Sequence, residues 1–491
     1  MITTLKKLGK LSLTYTLGDI VTKGAALLLL PLYTRFLTPD DYGILAIVLM
    51  VSGVMGMLIS FGMMSAILRF HFLFDNEQQR QEFYGTLFLF LLLMPGLIVW
   101  SLDQFGESLF TSLFRQTPFQ PYIRLGIWTA FFNTAFSILP PTLFRAREQA
   151  KRYVAFSLFK FVATTVFTIW LVVFQNQGAV GAAWAQFLAS ILTAVPATAI
   201  LLRQVRLNLH WRKLVPALAF GIPLIPHLLS YWALSISDRA ILERHVSLDQ
   251  LGLYSLGYQF GIAYNMIIIS INNSLLPMFG RSANSNDELQ RLSRIATYYI
   301  LVIGTIGLAI ALLAPKVIIL ITPPEYHSAG LIVPWIILGY SFLGFYYLPM
   351  NTLSMTVGKT RTVPLITITS ALFNIGLNLL MVPRFGIIAA AINTALGYGA
   401  LAVLMFVSAQ KTRSLNYEYG RLSKIGLSIF FLFMVSNIIP DLVMPIALVM
   451  DMLLVCLLPF MLFLMGFWTK QEKRRLHEIS QRIAPGLGAL K

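Results

Sequence analysis

From Leu11 to Trp468 the chain is a succession of about fourteen apolar stretches separated by short charged connections, each near the ~20 residues that cross about 30 Å of hydrocarbon. The stretches fall at roughly 11–36, 42–69, 83–102, 119–144, 153–175, 178–202, 214–240, 250–278, 292–315, 328–356, 362–383, 386–409, 425–440 and 443–468. In lipid a peptide group finds no water, so segments of this length satisfy their backbone internally as helices. The pattern predicts an all-α membrane protein.

Composition agrees with the pattern. The chain is 57% hydrophobic and 12% charged, and its mean hydropathy is +0.74, far from a soluble domain with about 25% charged residues. Met1 to Lys10 leads straight into the first apolar stretch with no small-residue cleavage site, so the first helix is expected to stay in the protein. The single cysteine, Cys456, excludes an intramolecular disulfide and a cysteine metal cluster. No metal or cofactor is expected.

The basic residues give an orientation. With the N-terminus cytoplasmic, 28 of the 37 lysines and arginines fall on cytoplasmic segments and 7 on exterior ones, among them Lys316; Lys23 and Lys160 lie within helices. The excess holds loop by loop, as the positive-inside rule requires. Both termini are then cytoplasmic, and the net charge of +17 is mostly a topology signal, with the basic tail after Trp468 lying against anionic lipid. Nucleic acid is not an expected partner.

A repeated motif organises the chain further. The connection after the first stretch contains Arg35, Thr38, Asp40 and Gly43, and the one after the seventh contains Arg244, Ser247, Asp249 and Gly252, both fitting R-x-x-[ST]-x-D-x-x-G. Thr38 and Ser247 read as helix N-caps, with Asp41 and Gln250 three residues on as in a capping box, and Pro39 as a first helical residue. The two copies each follow the first helix of a six-helix block. Six is even, so the blocks share one orientation and are related by a pseudo-two-fold along the membrane normal. The expected organisation is an N-terminal lobe (1–210), a C-terminal lobe (211–412), and two added helices with a basic tail (413–491).

Polar residues within such helices are costly unless paired or hydrated, which makes each a candidate. Lys23 lies about twelve residues into the first stretch, roughly 18 Å deep at ~1.5 Å per residue. Asp19, one turn earlier, shares its face. The pair reads as a cationic site for an anionic group, as a proton- or sodium-linked carboxylate, or as a neutralised structural ion pair. In the seventh stretch Gly221, Pro223 and Pro226 interrupt helical hydrogen bonding and read as a hinge. His227 and Tyr231 share a face just beyond it, with His227 either a proton carrier or a neutral core histidine. Asp238-Arg239 reads as an interfacial ion pair or a substrate contact, and Lys160 as a snorkelling or a cavity lysine. Asp451 has no local partner. Asn133, Asn272, Asn351, Asn374 and Asn378 read as bridges between helices.

Three segments carry a family likeness: Phe220-Gly-Ile-Pro-Leu-Ile-Pro226, Ser237-Asp-Arg239, and Ser247 to Gly252 followed by Leu-Tyr-Ser255. With Leu37 to Gly43 they resemble the polysaccharide-flippase branch of the multidrug/oligosaccharidyl-lipid/polysaccharide exporter superfamily. The resemblance covers the whole chain. It implies an alternating-access carrier that moves an undecaprenyl-diphosphate-linked oligosaccharide from the cytoplasmic to the outer leaflet of the bacterial inner membrane. It also implies a cationic central cavity, filled here by Lys23 with Arg239 and Lys160, and service to O-antigen, capsule or exopolysaccharide synthesis beside a polymerase and its chain-length machinery. No Walker-type glycine loop is present, so an ion gradient of protons or sodium, or consumption of the product outside, would drive transport. The alternatives are a multidrug/cation antiporter of the same superfamily and a polysaccharide polymerase; the first calls for acidic cavity residues, for which the chain offers Asp19 and Asp238 against Lys23, and the second for a large exterior catalytic loop, where the longest exterior connection is only about sixteen residues, Asp103 to Pro118.

Overall fold

The computed structural model describes residues 27, 29–74, 76–281, 286–357, 362–438, 443–469 and 472, apart from a few side chains. All regular structure among them is helical, as a chain that must satisfy its own peptide groups in lipid requires. The first half comprises α1 (Leu30–Phe36), α2 (Pro39–Ile59), α3 (Met63–His71), α4 (Glu77–Phe105), α5 (Glu107–Leu113), α6 (Arg124–Ser137), α7 (Leu139–Ala146), α8 (Ala150–Thr168) and α9 (Gly178–Leu202). The second half comprises α10 (Trp211–Gly221), α11 (Ile225–His245), α12 (Leu248–Arg281), α13 (Asn286–Ile321), α14 (Val333–Asn351) and α15 (Thr362–Thr412), followed by α16 (Tyr419–Ile438) and α17 (Met444–Leu464).

Eleven helices among the described residues are long and apolar enough to cross a membrane. Two departures from the expected spans have local causes. The stretch at 119–144 is broken at Ile138 into α6 and α7, where Pro140 and Pro141 carry no backbone N–H to continue the ladder. The stretch at 42–69 breaks between α2 and α3 at Phe61 and Gly62, both with positive φ. The stretches at 362–383 and 386–409 keep their expected division within α15, which folds back between them at Gly386 (φ 62°, ψ −142°). The amide of Asn374 donates to the Asn393 carbonyl across that turn at 2.9 Å. Most of the first stretch lies outside the described residues.

Lipid offers no hydrophobic drive to bring helices together, so packing relies on small residues and close approach. In the N-terminal lobe α9 provides the small surface, burying Ala179, Ala182, Ala183, Ala185 and Ala189 where it packs against α6 and α8. In the C-terminal lobe α15 packs against both α14 and α11. Helices α16 and α17 lie against α13 on the flank of that lobe.

The repeat is visible as matched geometry. Thr38 caps α2 by accepting from Asp41 N at 3.2 Å, and the Asp41 carboxylate in turn accepts from Thr38 N at 3.2 Å, the reciprocal box that its sequence predicts. Asp41 also accepts from Ala179 N at 3.0 Å, beside Gly178 at φ 53°. In the second copy Gln250 occupies the Asp41 position and approaches Gly386, again at positive φ. The two motif glycines then press on each other's helices. A Cβ on Gly43 would stand 2.2 Å from the Leu248 carbonyl oxygen, and one on Gly252 would stand 2.0 Å from that of Pro39. No side chain fits at either place, and the backbones of α2 and α12 cross in direct contact. This end of the molecule is called the motif end below, and the opposite end, rich in arginine and lysine, the basic end.

Asp451 is partnered, contrary to its reading from the sequence. Lys316, expected in a connection, is instead inside α13, and its Nζ donates to Asp451 on α17. Ser436 on α16 donates to the other carboxylate oxygen at 2.9 Å. The charge that looked orphaned in α17 therefore ties both added helices to the C-terminal lobe.

Candidate functional site

Three groups of polar side chains lie inside the helical bundle. The first is built on α11. Asp238 and Arg239 are buried, and Arg239 Nη1 donates to Asp238 Oδ1 at 3.2 Å and to the Ser235 carbonyl at 3.2 Å. The other Asp238 oxygen accepts from Tyr254 OH and from Thr394 Oγ1 at 3.4 Å. The guanidinium lies 4.4 Å from the Tyr258 ring centroid, and Tyr258 OH accepts from Tyr340 OH at 3.3 Å. Taking two charges out of water costs several kcal/mol per ion unless hydrogen bonds complete the pair. Here tyrosines from α12 and α14 and a threonine from α15 complete it, so its net charge is zero and its position is fixed by four helices.

The second group is an amide ladder inside the α15 turn. Asn378 donates to Asn374 Oδ1 at 3.2 Å, and Asn393 donates to Asn378 Oδ1 at 3.1 Å. Asn393 Oδ1 is buried without a hydrogen-bond partner. Next to the ladder in sequence, Thr394 reaches Asp238, so the first two groups are continuous. Asn351 and Asn272 form a separate bridge of 2.7 Å between α14 and α12.

The remaining polar side chains lie on α6, α8 and α11. Lys160 on α8 is half-buried, and its Nζ donates to Asn133 Oδ1 on α6 at 2.7 Å. A neutral amide orients an ammonium but does not cancel its charge. On α11, His227 Nδ1 and Trp232 Nε1 are buried with no partner, and Trp232 Nε1 lies 3.9 Å from the Cβ position of Gly53 on α2. Lys23 and Asp19 lie outside the described residues, as does the Tyr231 side chain. Among the described residues no group of three or more His, Cys, Asp and Glu side chains is placed to hold a metal.

The seam between the lobes has different construction at its two ends. At the motif end α2 crosses α12 through Gly43 and Gly252, and Tyr326 OH donates to the Leu37 carbonyl at 2.7 Å. At the basic end, among the described residues, the link runs through α10. Gly221 of α10 meets Gly62 so closely that a Cβ on Gly62 would stand 2.3 Å from the Gly221 carbonyl oxygen. Arg69 lies 4.4 Å over the Phe220 ring, and Lys213 Nζ pairs with Glu82 at 2.6 Å. The segment before α10 is pinned as well: Arg206 N donates to the Gln81 carbonyl at 3.0 Å, and Thr86 Oγ1 donates to the Asn208 carbonyl at 2.8 Å. Beyond the 3₁₀ turn Ile222–Leu224, α11 packs on α15 and α2 instead. Gly221, Pro223 and Pro226 thus sit where one transmembrane element changes lobes. Nearby, the buried His71 is bonded through Nδ1 to Tyr84 OH; burial, aided by Arg80 and Arg147, pushes its pKa below the ordinary value.

Several members of these groups have no mark in the sequence. Asn393 and Thr394 stand in the apolar run after the turn, and their signal is spacing from Asn374 and Asn378 about a glycine. Tyr254 is a common residue type on an apolar helix. Glu243, fully buried near the end of α11, stands beside charged neighbours that make it look solvated.

Comparison with known proteins fits the fold to a family. Residues 32–329 match the family described as polysaccharide biosynthesis protein. The chain belongs to that family. It is 25% identical over 388 residues to the Lsg locus putative protein 1 of Haemophilus influenzae, covering 76% of this chain and 87% of the relative. Among solved structures it resembles the lipid II flippase MurJ in an inward closed conformation, with TM-score 0.69 and 13% identity over 94% of this chain and 98% of that one. A multidrug resistance MATE family transporter of the MOP superfamily, inward-facing, aligns with TM-score 0.64 and 15% identity over 84% and 95% of the two chains. The two-lobed helical fold is shared with both.

Proposed function

We propose that the protein is a flippase that carries polyprenyl-diphosphate-linked oligosaccharide units from the cytoplasmic to the outer leaflet of the bacterial inner membrane by alternating access. The observation that carries this reading is a polysaccharide biosynthesis family match on a chain whose two lobes exchange one broken transmembrane element at Gly221 to Pro226. A diphosphate bearing several sugars cannot enter hydrocarbon, because each ion loses its hydration. A seam between two lobes shields it while the prenyl tail stays in lipid, and no covalent bond need change.

In this reading the lobes are 1–210 and 211–412, the basic end and both termini are cytoplasmic, and the motif end is external. Gly221, Pro223 and Pro226 form the hinge. Lys160, whose hydrogen-bond partner is neutral, and Lys23 attract the diphosphate, with Asp19, His227 and Tyr231 beside the path. Arg239 acts through its pair with Asp238. Proton or sodium coupling draws on the Asp238, Thr394 and Asn393 cluster, where a buried oxygen lacks a donor. The product feeds a polymerase that builds O-antigen, capsule or exopolysaccharide.

The test is deletion of the gene followed by measurement of lipid-linked oligosaccharides in each leaflet. Completed single units trapped on the cytoplasmic leaflet are expected. Unpolymerised units in the outer leaflet would identify a polymerase instead, and an unchanged glycan with lost cation efflux would identify a drug exporter.

A further inference from the structure

The Glu243 carboxylate bridges the two lobes through backbone N–H groups. Glu243 lies two residues before the end of α11, which packs in the C-terminal lobe, and it is 0% exposed. Its carboxylate enters residues 114–118 of the N-terminal lobe. Oε2 accepts from Arg115 N at 2.9 Å, and Oε1 accepts from Gln116 N at 2.7 Å and Thr117 N at 2.8 Å. The Gln116 side chain closes the arrangement by donating to the Glu243 carbonyl and to the Val246 carbonyl at 2.7 Å. Three successive peptide N–H groups converging on one anion form a nest, and each bond is of the charge-assisted kind, about twice as strong as a neutral one. The loop is held in shape at its flanks, where Arg124 at the start of α6 pairs with Asp103 near the end of α4 at 2.6 Å.

We propose that Glu243 is the latch that holds the lobes shut at the motif end, and that opening toward that side requires its carboxylate to leave the nest at 115–117. The proposal rests on the alternating-access reading above and is independent of the cargo. Neither the glycine crossing nor the Tyr326 bond explains a buried anion here: a carboxylate is costly to bury, and the same contact area is available to a leucine without that cost. What the anion adds is a contact that is strong when seated and weak when displaced by about an ångström, which suits a joint that must close firmly and open completely. Glu243 is a positioning residue for transport through the conformation it favours.

The test uses the full chain with Cys456→Ala and one reporter cysteine at a time. Ser255→Cys places a thiol on α12 at the motif end, where Ser255 is 2% exposed. Asn273→Cys places one on the same face of α12 toward the basic end, since it follows Ser255 by 18 residues, about five turns of ~3.6 residues. Labelling is by a membrane-impermeant maleimide, in right-side-out and inside-out vesicles. Glu243→Gln keeps the shape but replaces an anion by an amide that presents a donor to donors, so the motif-end reporter should label roughly tenfold faster and the basic-end reporter more slowly. A rise at both reporters would make Glu243 a structural brace, and no change at either would also overturn the proposal. Should Glu243→Gln fail to reach the membrane, Gln116→Ala removes two of the supporting bonds and must shift the reporters in the same opposed directions. Labelling needs no substrate, so a wrong cargo leaves this result standing, whereas a failed latch leaves the leaflet assay untouched.

Discussion

The pair formed by Lys316 and Asp451 makes a quantitative prediction because its two members are unequally buried. The Asp451 side chain is 2% exposed and that of Lys316 is 25% exposed. Removing one partner of a buried pair costs about 3–5 kcal/mol when the other charge is stranded, and Lys316→Met strands the carboxylate with Ser436 as its remaining partner. Asp451→Asn is milder: the lysine is partly exposed and its long stem reaches water, for a cost of about 1–2 kcal/mol. The double variant buries no unpaired charge and should return close to the parent. The assay is reversible unfolding in detergent at pH 7. The expected order of stability is parent, double variant, Asp451→Asn, Lys316→Met. Lys316→Met as stable as the parent would refute the reasoning.

Three further outcomes are expected. Lys160→Met should reduce transport at least about tenfold while leaving the unfolding midpoint unchanged or higher, since a half-buried cation within a membrane helix, held only by a neutral amide, costs free energy to fold; unimpaired transport at equal abundance would remove Lys160 from the substrate path. Gly252→Val drives a side chain into the Pro39 carbonyl and should destabilise by about 1–3 kcal/mol, with faster labelling of Ser255→Cys; normal labelling would show that the crossing tolerates separation. His71 binds its proton less readily when folded than unfolded, so stability should fall as pH drops below ~6.5. His71→Phe should flatten that part of the stability profile, and an unchanged slope would place the effect elsewhere.

What could be read from the sequence follows the range of the interactions. The cap at Thr38 with Asp41 is complete within four residues, and a proline and a glycine flag its helix start, so it was legible. The repeat was legible for the same reason, although its purpose was not, because the meeting of Gly43 with Gly252 is visible only when the lobes are assembled. Asp238 with Arg239 showed as adjacent charges, but the tyrosines and Thr394 that make their burial tolerable come from three other helices. Asp451 and Lys316 are 135 residues apart, and a charge pair across that distance leaves no pattern. Glu243 is the extreme case, since its partners are peptide N–H groups and every residue but proline has one. The turn at Gly386 was legible because Pro383, Arg384 and Gly386 interrupt the apolar run within four residues.

The crossing of Gly43 and Gly252 bears on the ancestry of the chain. If the halves arose by duplication, the ancestral motif had to meet a copy of itself, like two faces of one coin pressed together. The surface that each copy offers is also the surface that it receives, so a bulky residue gained by one must be accommodated by the other's backbone. Elsewhere the halves are free to drift, and Asp41 has its counterpart in Gln250. At the point of contact they share one fate, and the oldest feature of the molecule is expected to be kept where its two copies touch.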